Sequence, residues 1–437
     1  MKLETAKTLA LIILIGISLL LTYGLWSYQP SGDTLQNPTY EAETSLGGTK
    51  ESKKSLIEPE SVIFHADNSY YGFSDPLKQR ELYNEMQSWV LNNFETGPPK
   101  DILEQSHLVE LVFPDELPMN ILNSNSLFNF NDKETVFPSW HFNRVYFTFE
   151  SETASLQAHF VSANGQQEAT AYINDSANYE QLWSYVSNMD FEVLQEYMLF
   201  NEENTPIYIP ANRIELPGYS FTIEKLDPNL LINALFRTPS AVRPIYNNGE
   251  RLYTDNQRQI RVFENGSSME FYNPYPEDYE RTESLKLIDQ SILSINDHFG
   301  WTQEYNLLDV EENTVRYLMY YDGYPVFDSS HLNLNIIEQR WINQDLSIYQ
   351  RPLYTLETSF PIDSVELPSG SDIIHYLENN PASNYNIENI TDLQIGYRLN
   401  FQGEDDSIIL VPAWYMNYNG SWLEFKFSDL SISEGGS

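Results

Sequence analysis

The sequence contains no cysteine, which removes disulfides, thiolate nucleophiles and thiolate metal sites together. It also excludes a lipoprotein anchor, and in an exported chain of 437 residues it points to a bacterium rather than to a secretory pathway that oxidises its cargo. Basic residues are scarce: 24 Lys and Arg stand against 63 Asp and Glu, a formal charge of −39. Such a surface repels phosphate backbones and argues against nucleic acid as a partner. Catalytic motifs are missing as well. There is no GxSxG elbow, no SxxK, no Walker glycine loop and no GxGxxG after a strand. The histidines, at His65, His107, His141, His159, His298, His331 and His375, never fall at HxxxH or HExxH spacing, so the residues point to no zinc site and to no cofactor.

Long apolar runs are equally rare. One stands out, Thr8 to Tyr28, which carries no charge between Lys7 and Asp33 and matches the roughly 20 residues a helix needs to span a bilayer. Lys2 and Lys7 precede it and no Lys or Arg comes after it until Lys50, which places the N-terminus in the cytoplasm and the rest of the chain outside the cell membrane. Tyr23, Trp26 and Tyr28 lie where aromatic rings suit the membrane interface. A cleaved signal peptide is the competing reading. Against it, the run exceeds the 7 to 15 residues of an h-region and its exit, Trp26-Ser27-Tyr28-Gln29-Pro30, is bulky. Within the span, Ser18 and Thr22 share a helical face and Gly16 and Gly24 thin the neighbouring turns. These four are the candidate partner-binding residues, because helices in lipid associate through small residues and hydroxyls.

Beyond the span the chain is acidic yet aromatic, with 30 Tyr and 23 Phe in all, a composition that folds. Ser31 to Pro59 is polar and reads as a tether. The expected organisation is a cytoplasmic N-terminus and span over residues 1–29, a flexible linker over 30–60, an α+β unit over 61–190, a central unit over 191–280 and a C-terminal α+β unit over 281–437. Leu82, Met86, Trp89, Val90 and Phe94 predict a helix of about 20 residues after Ser74-Asp75-Pro76. A second helix is expected over Tyr179–Met189, and strands over His107–Phe113, Phe142–Phe149 and Ser155–Val161. Asn248-Gly249 and Asn265-Gly266 predict antiparallel hairpins. The fold class is therefore α+β, with antiparallel sheets and packed helices.

In the last unit an offset of 80 (395 − 315) aligns Val315, Tyr317, Met319, Tyr321 and Gly323 with Ile395, Tyr397, Leu399, Phe401 and Gly403. This predicts repeated helix-plus-hairpin modules, with Tyr317 and Tyr397 each facing the helix before it. The acidic groups Asp309/Glu311/Glu312 and Glu404/Asp405/Asp406 lack EF-hand spacing and read as solvated turns. Tyr320-Tyr321 and Trp414-Tyr415 could bind wall sugars or peptides, or pack on a sheet face. A glycosidase carboxylate pair stays open, since its members can be far apart in sequence.

Three stretches together carry a resemblance: Lys7-Thr8 through Trp26-Ser27-Tyr28-Gln29-Pro30, Val315-Arg316-Tyr317 through Tyr324-Pro325-Val326, and Val411-Pro412-Ala413-Trp414. They resemble the YycH family, membrane-anchored extracytoplasmic regulators of the WalK (YycG) sensor histidine kinase in low-GC Gram-positive bacteria. The C-terminal third is similar also to the companion protein YycI. The resemblance implies a non-enzymatic role in signal transduction: association with the kinase and with a YycI-type protein, partly through transmembrane helices, to adjust a two-component system that governs cell-wall metabolism. It also implies a three-domain exported portion and brings no catalytic motif. The rival expectation is a membrane-anchored wall hydrolase or wall-binding protein.

Overall fold

The computed structural model describes residues 45–425, except residues 101, 133–134, 201–205, 248, 264–265, 276–278, 331, 380–384 and 404. The expected membrane helix, with Gly16, Ser18, Thr22 and Gly24, lies outside the described residues. Among those described, no helix is long and apolar enough to cross a membrane.

The fold is α+β and mostly antiparallel. One sheet is built from β1 (Ser61–Ala66), β2 (Ser69–Phe73), β3 (Val90–Gly97), β4 (His107–Pro118), β5 (Asn129–Phe130), β6 (His141–Glu150), β7 (Ser155–Ser162), β8 (Glu168–Ile173), β9 (Leu194–Phe200) and β10 (Ile207–Pro210). Its order is β10-β9-β2-β1-β4-β6-β7-β8-β3-β5. The second sheet contains β11 (Ile214–Lys225), β12 (Arg243–Asn247), β13 (Glu250–Thr254), β14 (Gln259–Val262), β15 (Ser268–Tyr272), β16 (Glu304–Glu311), β17 (Thr314–Tyr321), β18 (Tyr324–Asp328), β19 (Ile336–Ile342), β20 (Asp345–Pro352), β21 (Tyr354–Leu367), β22 (Ile390–Gln402), β23 (Ser407–Tyr418) and β24 (Ser421–Glu424). It runs β12-β13-β14-β15-β20-β19-β17-β18-β22-β23-β11-β21, with β16 beside β17 and β24 beside β23. Gly249 and Gly266 take positive φ at the two expected hairpins, a conformation glycine adopts without a Cβ clash. Asn248 and Asn265 lie outside the described residues.

The core arises from alternation along the strands. Val109, Leu111 and Phe113 of β4 point to the main core, while Leu108 and Glu110 take the other face. Phe113, Phe142 and Phe160 meet edge to face, with ring centroids 6.0 and 5.5 Å apart, the arrangement their quadrupoles favour. Truncating one of them to alanine is expected to cost about 3–5 kcal/mol.

Helices α1 (Lys53–Leu56), α2 (Pro76–Met86), α3 (Ser176–Asn188), α4 (Pro228–Leu235), α5 (Ser284–Asn296) and α6 (Gly370–Asn379) cover the sheets. Asp75, Asp175 and Asp227 cap α2, α3 and α4 by accepting the N–H two residues on.

Four expectations are corrected. The long helix stops at Met86, and Val90–Gly97 is strand β3. Trp89, just before the strand, and Leu91 within it are buried, and Phe94 packs on the same core after a register shift between Asn92 and Glu95, so an apolar series that fits helical spacing is also met by an irregular strand. The linker over 30–60 does not extend to 60. From residue 45 the chain is fastened to the body: Leu46, Leu56 and Ile57 are buried, and Leu46, Gly48 and Thr49 donate backbone bonds to His298, Phe299 and Trp301. The central unit over 191–280 has no sheet of its own. Its first strands, β9 and β10, extend the first sheet, because β9 pairs with β2, and β11 to β15 join the second.

The fourth concerns the repeat. After α5 the chain makes β16 and then β17, whereas after α6 it makes β22 directly. β17 lies between antiparallel β16 and β19, but β22 lies between parallel β18 and antiparallel β23. Tyr317 does face the preceding helix, with its hydroxyl beside Ser291 of α5. Tyr397 instead joins Tyr219 and Tyr324, at centroid distances of 6.0 Å, while Leu393 and Ile395 of the same strand cover Ile373 and Leu377 of α6. Both tyrosines are buried, and their matching alternation reflects two-sided burial in unequal surroundings.

Candidate functional site

Between the two sheets opens a cleft of about 1200 Å³. The first sheet lines it with Glu60, the Val112–Glu116 part of β4, Arg144 of β6, Tyr197 of β9 and Tyr208 of β10. The second sheet supplies Leu308 to Glu311, Arg316, Leu318, Tyr320, Phe327, Asp392, Tyr415 and Trp422. One end is closed where β4 meets β16, with Val310 N donating to Asp115 Oδ2 at 2.9 Å.

The floor is apolar. Leu318, Phe327, Ala413 and Tyr415 form a cluster separate from the main core, joined by half-buried Leu308, Tyr320, Ile336 and Trp422. The Phe327 ring lies 4.0 Å from Tyr415 and 5.0 Å from Trp422. Alternation again produces this surface: Val315, Tyr317 and Met319 of β17 enter the main core, so Arg316, Leu318 and Tyr320 face the cleft. Each aromatic pair singled out in the sequence is thereby divided. Tyr320 and Tyr415 line the cleft, whereas Tyr321 packs on Tyr219 and Phe221 and Trp414 donates from Nε1 to the Pro368 carbonyl at 2.9 Å.

Nine carboxyl side chains and two guanidiniums line the cleft. Glu60 and Asp392 face each other with a hydrogen bond between their carboxyls. Burial, and then the neighbouring acid, push Glu60 well above the usual carboxylate range. Burial also raises Asp392, opposed by its bonds from Glu60 and from the Leu393 N–H. Two like charges at that separation are unfavourable together, so the pair keeps one proton between them. Asp309 is likewise pushed up by burial, to about 6, against the opposing pull of Arg316. Arg316 bonds both Asp309 oxygens at 2.9 and 3.0 Å and Glu338 at 3.0 Å.

Behind the first-sheet wall lies a buried ion network. Glu110 is fully buried and is held by the Arg144 guanidinium, by His65 Nε2 at 2.8 Å and by the Tyr208 hydroxyl at 2.9 Å. Burial works against its ionisation, yet Arg144, His65 and Tyr208 together hold it below the usual range. Arg144 is only 8 % exposed and also donates to the Pro206 carbonyl at 2.5 Å. Its Nε–H has no partner within the protein.

A strap leads into the cleft. Asn296 accepts from Glu51 N at 2.9 Å and donates to Glu51 O at 2.8 Å. Asn306 treats Glu58 the same way, at 3.0 Å for both bonds. The segment so clamped ends at Glu60.

The remaining residues considered in the sequence fall elsewhere. His159 is buried between Thr148 and Glu168. Burial and Arg351 hold His298 down to about 3, beside the Tyr349 hydroxyl at 2.9 Å. His331 and Glu404 lie outside the described residues. Glu312 pairs with Arg340 at 3.3 Å and Asp406 with Lys225 at 2.5 Å. Among the described residues no three His, Asp or Glu gather as metal ligands. Glu60, Asp392, Glu110 and Arg144 went unmarked in the sequence, because no spacing rule joins residues this far apart. A signal existed for two of them: Glu110 and Arg144 each interrupt an apolar strand, as complementary buried charges do.

The comparisons with known proteins fit this architecture. Models of the YycH protein family match the chain twice, the N-terminal domain over residues 4–190 and the C-terminal domain over residues 204–429. The two-component system WalR/WalK regulatory protein YycH of Bacillus subtilis (strain 168) is 24% identical over 464 aligned positions, covering 100% of this chain and 99% of that protein. The crystal structure of YycH from Bacillus subtilis superposes with a TM-score of 0.70 at 20% identity, over 88% of this chain and 99% of that one. At that identity the likeness shows the fold.

Proposed function

This chain belongs to the YycH family, and from that premise we propose that it regulates a two-component system of the WalR/WalK type, with the sensor kinase as its partner. The observation that carries the reading is the match of both family domains along the chain, together with an end-to-end relative whose name is that of a WalR/WalK regulatory protein. Thr8–Tyr28 anchors the protein in the cell membrane as a single span, with the N-terminus inside and the two sheets outside. The kinase and a YycI-type companion are contacted in the bilayer and beyond it, and cell-wall metabolism is the output.

The role is non-enzymatic. Its support is the family match, with an end-to-end relative that is named a regulatory protein. A regulator acts only by binding one kinase state better than another, a differential of about 1–3 kcal/mol. Asn296 and Asn306 clamp Glu51 and Glu58, so the first described stretch of the chain is fastened to the two-sheet body. The test is co-purification of the full chain with the kinase, then kinase autophosphorylation in reconstituted membranes with and without it. Stable association and a several-fold change in autophosphorylation are expected; no association and an unchanged rate would overturn the reading.

A further inference from the structure

The cleft has the features of a receptor groove whose occupant can be read from its walls. Its floor leaves Leu308, Tyr320, Ile336 and Trp422 half-buried around the buried rings of Phe327 and Tyr415. Its lining is acidic in excess, nine carboxyls to two guanidiniums, and both guanidiniums are already engaged: Arg144 with Glu110, and Arg316 with Asp309 and Glu338. Low-dielectric walls lined by one sign of charge concentrate the opposite sign. At about 1200 Å³ the space exceeds the 300–1,000 Å³ common for small-molecule pockets.

An anion would meet the surplus carboxylates, and a neutral sugar would leave them uncompensated.

We propose that the cleft between the two sheets is a binding groove for an extended peptide segment that carries basic side chains beside apolar ones. The apolar side chains rest on the floor around Trp422, and the basic ones reach the carboxyls of the rim. This groove belongs to the body of the protein and does not depend on which kinase is regulated.

The experiment uses the full chain in detergent micelles and the fluorescein-labelled peptide Lys-Leu-Lys-Leu-Lys-Leu, monitored by anisotropy. Controls are Lys-Ser-Lys-Ser-Lys-Ser, Glu-Leu-Glu-Leu-Glu-Leu and a labelled chitin tetrasaccharide. The Lys-Leu peptide is expected to bind at least 10-fold more tightly than any control. Trp422→Ala should weaken it 5-fold or more, as should the rim pair Glu116→Gln/Glu388→Gln. The matched pair Glu81→Gln/Glu152→Gln, which removes two charges away from the cleft, should leave affinity within 2-fold, and circular dichroism reports that each variant is folded. Equal losses from both glutamate pairs would mean diffuse attraction to the net charge and would overturn the groove. So would equal binding of the Lys-Ser peptide, or preferential binding of the tetrasaccharide.

Discussion

Glu60 and Asp392 meet carboxyl to carboxyl, one at the end of the strap and the other on β22 of the second sheet. Arg144, Tyr197 and Tyr320 are the charged or titratable groups that face the pair. Because the folded protein keeps a proton that the unfolded chain releases near pH 4.5, the pair favours folding below that pH and loses its contribution as pH rises toward the raised folded value. Glu60→Gln should therefore flatten the fall in melting temperature between pH 5 and pH 8, and at pH 8 should melt about 2–4 °C above the parent. Parallel melting curves against pH for parent and variant would show that the carboxyls do not share a proton.

His298 carries the opposite slope. Burial and the Arg351 guanidinium hold it at about 3, so below pH 6.5 the unfolded chain takes up a proton that the folded one refuses. Its contribution is complete above pH 6.5 and is lost as pH falls toward 3. Replacing it by glutamine removes that titration, on the order of 3 kcal/mol by pH 4, while the lost contact with Tyr349 costs some stability at neutral pH. The expected signature is a lower melting temperature at pH 7 with a flatter decline to pH 4; a decline as steep as the parent's would remove His298 from the acid response.

The strap depends on two side-chain amides. Asn296 and Asn306 each satisfy both backbone groups of one strap residue, and Asn296 also accepts from Trp301 Nε1 at 2.8 Å. Removing either leaves part-buried backbone groups unpaired, at about 1–3 kcal/mol. Hydrogen exchange is the direct measurement. In Asn296→Ala and Asn306→Ala the amides of residues 46–58 should exchange at least 10-fold faster while β4 and β6 keep their protection; unchanged strap protection would mean that the backbone bonds to His298–Trp301 suffice.

Much of the fold was legible where one physical rule decides. The start of α2 at Asp75-Pro76 and the hairpins at Gly249 and Gly266 appear where local chemistry places them, since caps and positive φ are settled within a few residues. Legibility failed where two rules compete. The apolar series through Trp89 and Phe94 satisfies helical spacing, yet β3 uses it because β8 and β5 offer edges to pair with. The repeated alternation of β17 and β22 looks like a module, but it records only that both strands are buried on two faces. The cleft was least legible. Glu60, Arg144 and Asp392 come from distant segments and meet only once the two sheets are brought together. The halves of Tyr320-Tyr321 and Trp414-Tyr415 take opposite faces, so an aromatic pair in sequence is not a pair in space.

Chelation should be without effect on the fold. Asp309 and Glu311 are drawn to Arg316, Glu312 to Arg340 and Asp406 to Lys225, so internal cations already answer these carboxylates. Excess EDTA is expected to shift the melting temperature by less than about 1 °C. A fall of several degrees would reveal a bound divalent ion, since a ligand that favours the native state adds its binding energy to stability.

The last prediction separates an inert anchor from a signalling helix. A tether needs only length and apolarity, whereas a span that packs on a partner in lipid gains nothing from the hydrophobic effect and needs small residues or hydroxyls at the contact. Gly16, Ser18, Thr22 and Gly24 would supply that face. Replacing Ser18 and Thr22 together by Leu should leave insertion intact and weaken co-purification with the kinase, by roughly 8-fold if each polar contact is worth about 0.6 kcal/mol. A whole-span exchange for an unrelated apolar helix, with the strap retained, should abolish the effect on kinase autophosphorylation. If the exchanged protein regulates fully, Thr8–Tyr28 only holds the chain to the membrane, and the differential affinity that biases the kinase resides entirely in the two sheets and the cleft between them.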